Sequence, residues 1–249
     1  MSVFPVIPAE AGIQNDTHTE QATRMTNLYG IMIKYPEPGK VKTRLAKDVG
    51  HEKAAEVYKH LVDKVMKNTR PSFIGSPFIK RPPLPKRGIP DIPLGAQYCE
   101  MMYERIIFYD PPERLTDFEA WFSGERFIQQ RGTDVGERMD NVVSDLLNRG
   151  AKKAVITGAD VPDLSNKIIE IAFRELDHAD IVIGPAKDGG YYLIGMKSPH
   201  AEIFKNIPWS TGRVFEETMK IIEKLQLTCK TIITLSDLDT EDDYTRQSL

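Results

Sequence analysis

The stretch from Ala154 to Ser165, with the sequence AVITGADVPDLS, contains the carboxylate best placed for chemistry. Its first half is a short β-branched apolar run ending at Gly158, which is typical of a strand buried in a parallel sheet. Asp160 follows at the carboxyl end of that strand, where open α/β sheets bind ligands. Because Mg²⁺ and Mn²⁺ are commonly shared between carboxylates and phosphate oxygens, Asp160 is a candidate metal ligand. The alternative is a turn aspartate that bonds its own backbone.

A basic loop, Tyr35 to Leu45 (YPEPGKVKTRL), follows the first predicted strand. Two prolines and Gly39 exclude regular structure from its first half. Lys40, Lys42 and Arg44 then occupy alternate positions, and cations directly after strand one of an α/β sheet are well placed to receive phosphates. The loop matches neither the P-loop pattern nor GxGxxG. The alternative is a solvated basic loop.

A second informative stretch runs from Asp180 to Met196, with the sequence DIVIGPAKDGGYYLIGM. Two strand-like runs flank an Asp-Gly-Gly turn, which predicts a hairpin. Gly189 and Gly190 would let the backbone approach a sugar or phosphate closely. Asp188 would then be a second metal ligand or a general base. An ordinary hairpin turn explains the two glycines equally well.

Three further side chains are candidate substrate contacts. Arg138 stands near the start of a helix opened by the glycine-punctuated loop QRGTDVGERM, and a helix N-terminus suits an anion. Tyr191 and Tyr192 point to opposite faces of a strand, so at most one can face the site. Trp209 would stack on a sugar or base, or simply fill core space.

The elements that must position these residues alternate between strands and helices. Strands are predicted at 28–34, 105–109, 126–129, 154–157, 180–186, 191–196 and 228–235, and helices at about 51–68, 116–122, from the loop 130–139 to about 149, 166–176 and 212–225. Ser165 is the predicted N-cap of the fourth helix, and Ser210 or Thr211 that of the fifth. This alternation predicts a single α/β domain with a mostly parallel central sheet and helices on both faces.

The bulk composition excludes several classes of protein. The 249 residues include 33 basic and 36 acidic side chains, for a net charge of −3, which gives no global electrostatic argument for nucleic acid binding. Cys99 and Cys229 match no metal-ligand spacing and indicate a reducing compartment. No apolar run approaches the roughly 18 residues of a membrane span. We therefore expect a cytoplasmic protein.

Three segments fall outside the regular pattern. Residues 1–26 are expected to be a disordered or non-native extension, with translation starting at Met25, and the domain to comprise residues 27–249. Residues 71–102 carry so many prolines that they cannot form a central strand or a helix, which predicts a mobile flap, a linker or a disordered excursion. Residues 237–243 are predicted to form a short helix capped by Thr240.

Six blocks together resemble a bacterial family of glycosyltransferases with the GT-A, nucleotide-diphospho-sugar transferase fold, often called radical-SAM/selenodomain-associated or arsenosugar-biosynthesis-type transferases. The blocks are KYPEPGKVKTRL (34–45), GERM (136–139), TGADVPDL (157–164), GPAKDGGYYLIG (184–195), WST (209–211) and DLDTEDD (237–243). The resemblance implies that Lys42 and Arg44 bind the donor diphosphate. It also implies that Asp160 binds Mg²⁺ or Mn²⁺, and that the Asp188 turn borders the donor sugar and a small-molecule acceptor. The chain departs from the family where Thr133 to Gly136 replaces GDLG, and in its proline-rich insertion.

Three functions are compatible with these residues. The first is glycosyl transfer from a nucleotide-diphospho-sugar, in which the metal neutralises the departing diphosphate. The second is nucleotidyl transfer with release of pyrophosphate, since the guanylyltransferases of cofactor F420 biosynthesis look similar around KTRL and DGG. The third is a degenerate, non-catalytic nucleotide-binding module. The residues leave the base, the sugar, the acceptor and the oligomeric state open.

Overall fold

The computed structural model describes residues 27–71, 73–74, 100–101 and 103–238. The predicted disorder of residues 1–26, the mobility of most of the proline-rich insertion and the helix capped by Thr240 lie outside the described residues. At the two ends of the insertion, β2 (Phe73–Ile74) pairs with β3 (Glu100–Met101) as a small antiparallel sheet of its own. The described part of the insertion therefore contributes no strand to the main sheet.

The main sheet has seven strands in the order β5-β4-β1-β6-β8-β7-β9. They are β1 (Leu28–Lys34), β4 (Glu104–Asp110), β5 (Phe127–Gln129), β6 (Ala154–Thr157), β7 (Ile181–Pro185), β8 (Tyr191–Met196) and β9 (Cys229–Thr231). All pairings in this sheet are parallel except those of β8 with β6 and β7. The β7–β8 connection is too short for a crossover, so these strands must run antiparallel.

Helices cover both faces of this sheet, as predicted. They are α1 (Ala46–Val49), α2 (His51–Asn68), α3 (Leu115–Trp121), α4 (Val135–Asn148), α5 (Asn166–Glu175) and α6 (Val214–Lys224). One buried cluster joins the sheet to α2, α3 and α5, and the other joins it to α4 and α6. The predicted α/β architecture is confirmed.

The order of the strands locates the place for a ligand. From β1, the chain proceeds to β4 and β5 on one side and to β6 on the other. The strand order therefore reverses at β1, and the crevice outside the carboxyl ends of the strands at such a point is where open α/β sheets bind ligands. The loops after β1, β5 and β6 all meet at this edge, together with the first residue of the antiparallel strand β8.

Two local predictions were wrong. The last strand, predicted to reach Leu235, ends at Thr231, and beyond it an isolated bridge joins Leu235 to Ala186. Helix α6 begins after Arg213, so neither Ser210 nor Thr211 is its N-cap. The Thr211 hydroxyl instead donates to the Pro208 carbonyl at 2.7 Å.

The cap predicted for helix α5 is confirmed in position but not in bonding. Ser165 occupies the N-cap position with extended backbone angles, yet its side chain makes no capping hydrogen bond.

Within the described ranges, no helix has the length and apolarity needed to cross a bilayer.

Candidate active site

A cleft of about 630 Å³ opens at the carboxyl edge of the sheet. Most of its wall comes from three connections: the basic loop after β1, the loop between β5 and α4, and the turn after β6. The lining residues are Met32, Lys34, Lys40, Val41, Lys42, Thr43, Arg44, Tyr58, Gln130, Thr133, Asp134, Val135, Arg138, Met139, Gly158, Asp160 and Tyr191. Five predicted site residues, Lys42, Arg44, Arg138, Asp160 and Tyr191, are thus brought together.

Lys42 and Asp160 form an ion pair inside this cleft. The Lys42 Nζ lies 2.8 Å from Oδ1 of Asp160, although the two residues are far apart in the chain. The Asp160 side chain is 52% exposed, whereas that of Lys42 is only 4% exposed. The carboxylate therefore faces the cleft, while the ammonium is covered by protein.

The basic loop is held in shape by a turn and by contacts to Arg114, the residue before α3. The Lys40 amide donates to the Glu37 carbonyl at 3.0 Å, and Gly39 has a φ of 78°. Proline and glycine at the two central positions are what a type II turn requires. The Arg114 guanidinium contacts the Glu37 carboxylate at 2.7 Å and lies 4.7 Å from the centre of the Tyr35 ring. The first half of the loop is thus held in place by these contacts, and the cations that line the cleft follow it in the chain.

The start of α4 forms the opposite wall. Asp134 is its N-cap and accepts a hydrogen bond from the Glu137 amide at 2.8 Å, while the Glu137 carboxylate accepts from the Thr133 amide at 2.8 Å. This reciprocal arrangement is a variant of the capping box, and it engages Asp134 in the helix start. Arg138 donates to Asp110 at 3.0 Å and to the Gly132 carbonyl at 3.2 Å, which ties α4 to the end of β4.

Two polar residues of the cleft were not singled out from the sequence. Gln130 is buried, and its amide nitrogen donates to the carbonyls of Phe108 at 2.8 Å and Ile33 at 3.2 Å, joining β4 to β1. Tyr58 lies on the buried stripe of α2, which predicts only packing. Its hydroxyl nevertheless accepts from the Lys34 amide at 3.1 Å at the cleft floor. Burial, with a smaller influence from the Asp160 charge, raises the pKa of Tyr58 above its ordinary value, so this hydroxyl stays protonated and neutral.

Asp188, Gly189 and Gly190 lie at the same edge of the sheet but outside the lining of this cleft. Asp188 Oδ1 accepts a hydrogen bond from the Gly190 amide at 2.8 Å, as in an aspartate turn. Gly189 has a φ of 88°, and a Cβ there would collide with the Gly212 carbonyl. The hairpin and its packing against Gly212 account for the glycine. In the sheet, β8 separates the strand before Asp188 from the strand before Asp160.

The two aromatic candidates have different surroundings. Tyr191 lines the cleft, whereas the Tyr192 hydroxyl donates to the Ile233 carbonyl at 2.8 Å. Trp209 is not part of the lining; it stands edge-on to Tyr191, with ring centroids 6.4 Å apart, and packs against the apolar cluster under α4 and α6. It supports the cleft wall from behind. Burial raises the pKa of Tyr191, against a smaller opposing influence from the neighbouring Thr218 hydroxyl.

Among the described residues, the cleft offers one carboxylate for a divalent metal besides the N-cap Asp134, so the remaining ligands would have to come from a bound phosphate and water. No group of three or more acidic, histidine or cysteine side chains among the described residues is arranged as a metal site. Asp160 instead offers one half-exposed carboxylate beside a cationic loop. Mg²⁺ is commonly bound by one or two carboxylates together with water and substrate phosphates. Asp160 thus suits a metal that is shared with a phosphate ligand.

Comparison with solved structures places this fold in a known class. A protein from Desulfovibrio desulfuricans G20, described as a candidate nucleotide-diphospho-sugar transferase, is 30% identical to this chain with a TM-score of 0.70. The match covers 86% of this chain and 82% of the other. The described fold thus belongs to the nucleotide-diphospho-sugar transferase class of folds. No curated protein matches the chain.

Residues 97–211 match the family described as "Uncharacterized protein conserved in bacteria (DUF2064)". With the relative from Desulfovibrio, this match shows that the chain belongs to that bacterial GT-A-like family. The resemblance inferred from the six sequence blocks is confirmed.

More distant structures share only the fold. The 4-diphosphocytidyl-2C-methyl-D-erythritol synthase from Anaerococcus prevotii is 9% identical, with a TM-score of 0.51, and the match covers 89% of this chain and 96% of that one. The bifunctional IspDF from Campylobacter jejuni is 10% identical, with a TM-score of 0.50, and the match covers 89% of this chain and 54% of that one.

Proposed function

We propose that this protein is a metal-dependent transferase that uses a nucleotide-diphospho-sugar and passes the sugar to a small-molecule acceptor. The observation that carries the proposal is the half-exposed carboxylate of Asp160 at the switch point of the sheet, in the same cleft as Lys40 and Arg44. Cations and a metal-binding carboxylate converging on one cleft are suited to a diphosphate. The membership of a GT-A-like family supports the same substrate class.

The residues that line the cleft suggest a separate role for each side chain in binding the donor. Lys40 and Arg44 are exposed on the basic loop and would hold the diphosphate. Arg138, half-buried beside Asp110, would add positive charge at the opposite wall. Asp160 would hold Mg²⁺ or Mn²⁺, which when bound supplies neutralisation of the charge on a departing diphosphate. Tyr191 would provide an apolar surface beside the sugar.

The acceptor would approach from the side of the β7–β8 hairpin. Asp188 lies on this hairpin at the ligand-binding edge, and we propose it as the general base for the acceptor hydroxyl. The Gly190 amide, which donates to Oδ1, would orient the carboxylate.

A second candidate function is nucleotidyl transfer with release of pyrophosphate. It is favoured by the shared fold of the diphosphocytidyl-methylerythritol synthase, and the cations on the basic loop would suit a pyrophosphate equally well. The released product separates the two functions. Incubation with Mn²⁺ and a panel of nucleotide sugars should release nucleoside diphosphate; incubation with nucleoside triphosphates and sugar phosphates should release no pyrophosphate. The opposite pattern would establish nucleotidyl transfer.

A non-catalytic nucleotide-binding module is the third possibility. Nucleoside diphosphates that stabilise the protein with Mn²⁺, while no donor is consumed in the presence of acceptors, would favour it. No stabilisation by any nucleotide would contradict the proposed function altogether.

A further inference from the structure

Lys42 differs from the other cations of the basic loop in where its charge lies. Its side chain is 4% exposed, and its ammonium is 2.8 Å from Asp160 Oδ1. Lys40 and Arg44, on either side of it, are exposed to the cleft. A cation that reads a phosphate in an open cleft needs a donor directed at the ligand, whereas the charge of Lys42 is directed at a protein carboxylate.

The backbone at Lys42 adopts an uncommon conformation that accompanies this pairing. Its φ is 46°, in the left-handed region, which residues with a side chain rarely adopt. The Lys42 carbonyl accepts a hydrogen bond from the Ala46 amide at 2.9 Å, so the conformation is held by the start of α1. On the other side of Lys42, Val41 is buried in the core. The loop therefore presents Lys42 inward between two fixed points.

We infer that Lys42 is a positioning residue that acts through Asp160 and is not itself a ligand of the diphosphate. Its ammonium orients the carboxylate from the protein side, and the exposed part of the carboxylate remains directed at the cleft. Groups that bond to a metal-ligating carboxylate fix its direction and contribute to metal affinity in this way. The inference rests on the proposed function and replaces the phosphate contact expected for Lys42 from the sequence resemblance.

A double-mutant cycle tests the inference, with the affinity for UDP and for GDP measured calorimetrically with and without Mn²⁺. Lys42→Met should reduce the Mn²⁺-dependent gain in affinity by about 10- to 100-fold. The affinity without metal should change by no more than about twofold. In the Asp160→Asn background, Lys42→Met should have no further effect on either measurement. Arg44→Gln is the matched comparison, and it should weaken binding with and without the metal.

Two more variants separate the ammonium from the backbone. Lys42→Arg keeps a cation and should restore most of the Mn²⁺-dependent gain. Lys42→Gly tolerates a positive φ but lacks the cation, so it should lose as much of that gain as Lys42→Met. Recovery by the glycine variant would assign the effect to the backbone and overturn the inference.

Other results also overturn it. If Lys42→Met weakens metal-free binding as strongly as Arg44→Gln, or weakens binding further in the Asp160→Asn background, Lys42 contacts the diphosphate directly. That outcome leaves the proposed function intact. If the wild-type protein binds neither diphosphate under any condition, the proposed function and this inference fail together.

Discussion

Arg138 Nη1 lies 3.0 Å from Asp110 Oδ2, which joins the first turn of α4 to the end of β4. Both side chains are about a quarter exposed, so the pair is neither fully solvated nor fully buried. The same arginine donates to the Gly132 carbonyl. The Arg138 side chain therefore holds the start of α4 against the end of β4.

We expect Arg138→Met to destabilise the protein by about 1 kcal/mol, since it removes a partly solvated charged hydrogen bond and a carbonyl contact. Urea unfolding measures the change. Arg131→Gln is the matched control, because Arg131, on the loop before α4, pairs with Asp145 at 2.7 Å but is 58% exposed. It should cost less than about 0.5 kcal/mol. An equal loss of unfolding free energy in both variants would show that the Arg138–Asp110 pair contributes no more to stability than an exposed ion pair.

Asp160→Asn should abolish the extra thermal stabilisation that Mn²⁺ gives to a nucleoside diphosphate complex, because an amide is a poor ligand for a hard cation. The ligand-free protein should remain folded by circular dichroism. Asp163→Asn changes an exposed carboxylate in the same segment that does not line the cleft, and it should keep the metal effect. Unchanged metal-dependent stabilisation in Asp160→Asn would remove this residue from the metal site.

Arg44→Gln should weaken binding of nucleoside diphosphates by about 10- to 100-fold, as expected for the loss of a charge-assisted hydrogen bond to phosphate. Binding of the corresponding nucleosides should be nearly unaffected. Lys47→Gln serves as the control, since Lys47 is exposed on α1 and does not line the cleft. Calorimetric titration of each ligand pair measures both effects. Equal losses for nucleoside and diphosphate would contradict the assignment of Arg44 to phosphate.

Asp188→Asn keeps an oxygen that can accept the Gly190 amide bond while it removes the negative charge. If Asp188 is the general base, kcat for sugar transfer should fall by about 100-fold or more, with little change in the affinity for nucleoside diphosphate and Mn²⁺. Steady-state kinetics and calorimetry together give this separation. An unchanged kcat would leave Asp188 with a role in the hairpin turn alone.

Stability should decline at alkaline pH through buried tyrosines. Burial raises the pKa of Tyr29 to about 12, against an opposing hydrogen bond to Thr157. The unfolded chain releases this proton near pH 10, so the folded state loses up to about 2–3 kcal/mol as pH rises from 10 to 12. Tyr29→Phe should reduce this loss, measured as the pH dependence of the urea midpoint. An identical dependence in the variant would show that the pKa of Tyr29 is not raised in the folded state.

How far the site was predictable differs from one residue to the next. Asp160 was identifiable because a β-branched run followed by glycine places the next carboxylate at the carboxyl edge of a parallel sheet. Tyr58 was not, because its position on the α2 stripe is that of a core residue, and only the packing of α2 against β1 brings its hydroxyl to the cleft floor. Gln130 follows a predicted strand, but nothing local indicates that its amide joins β4 to β1.

By itself, the sequence determined the order of the elements, the α/β class and the family, because these depend on local periodicity and on motifs read along the chain. The tertiary structure alone decided which side chains share the cleft. It turned the Lys42 ammonium inward onto Asp160 and left Trp209 behind Tyr191. The physical reason is that the direction of a side chain in a loop depends on backbone angles and on partners distant in the chain. Alternating cations in the sequence predict neither the backbone angles of the loop nor the distant partners of each side chain.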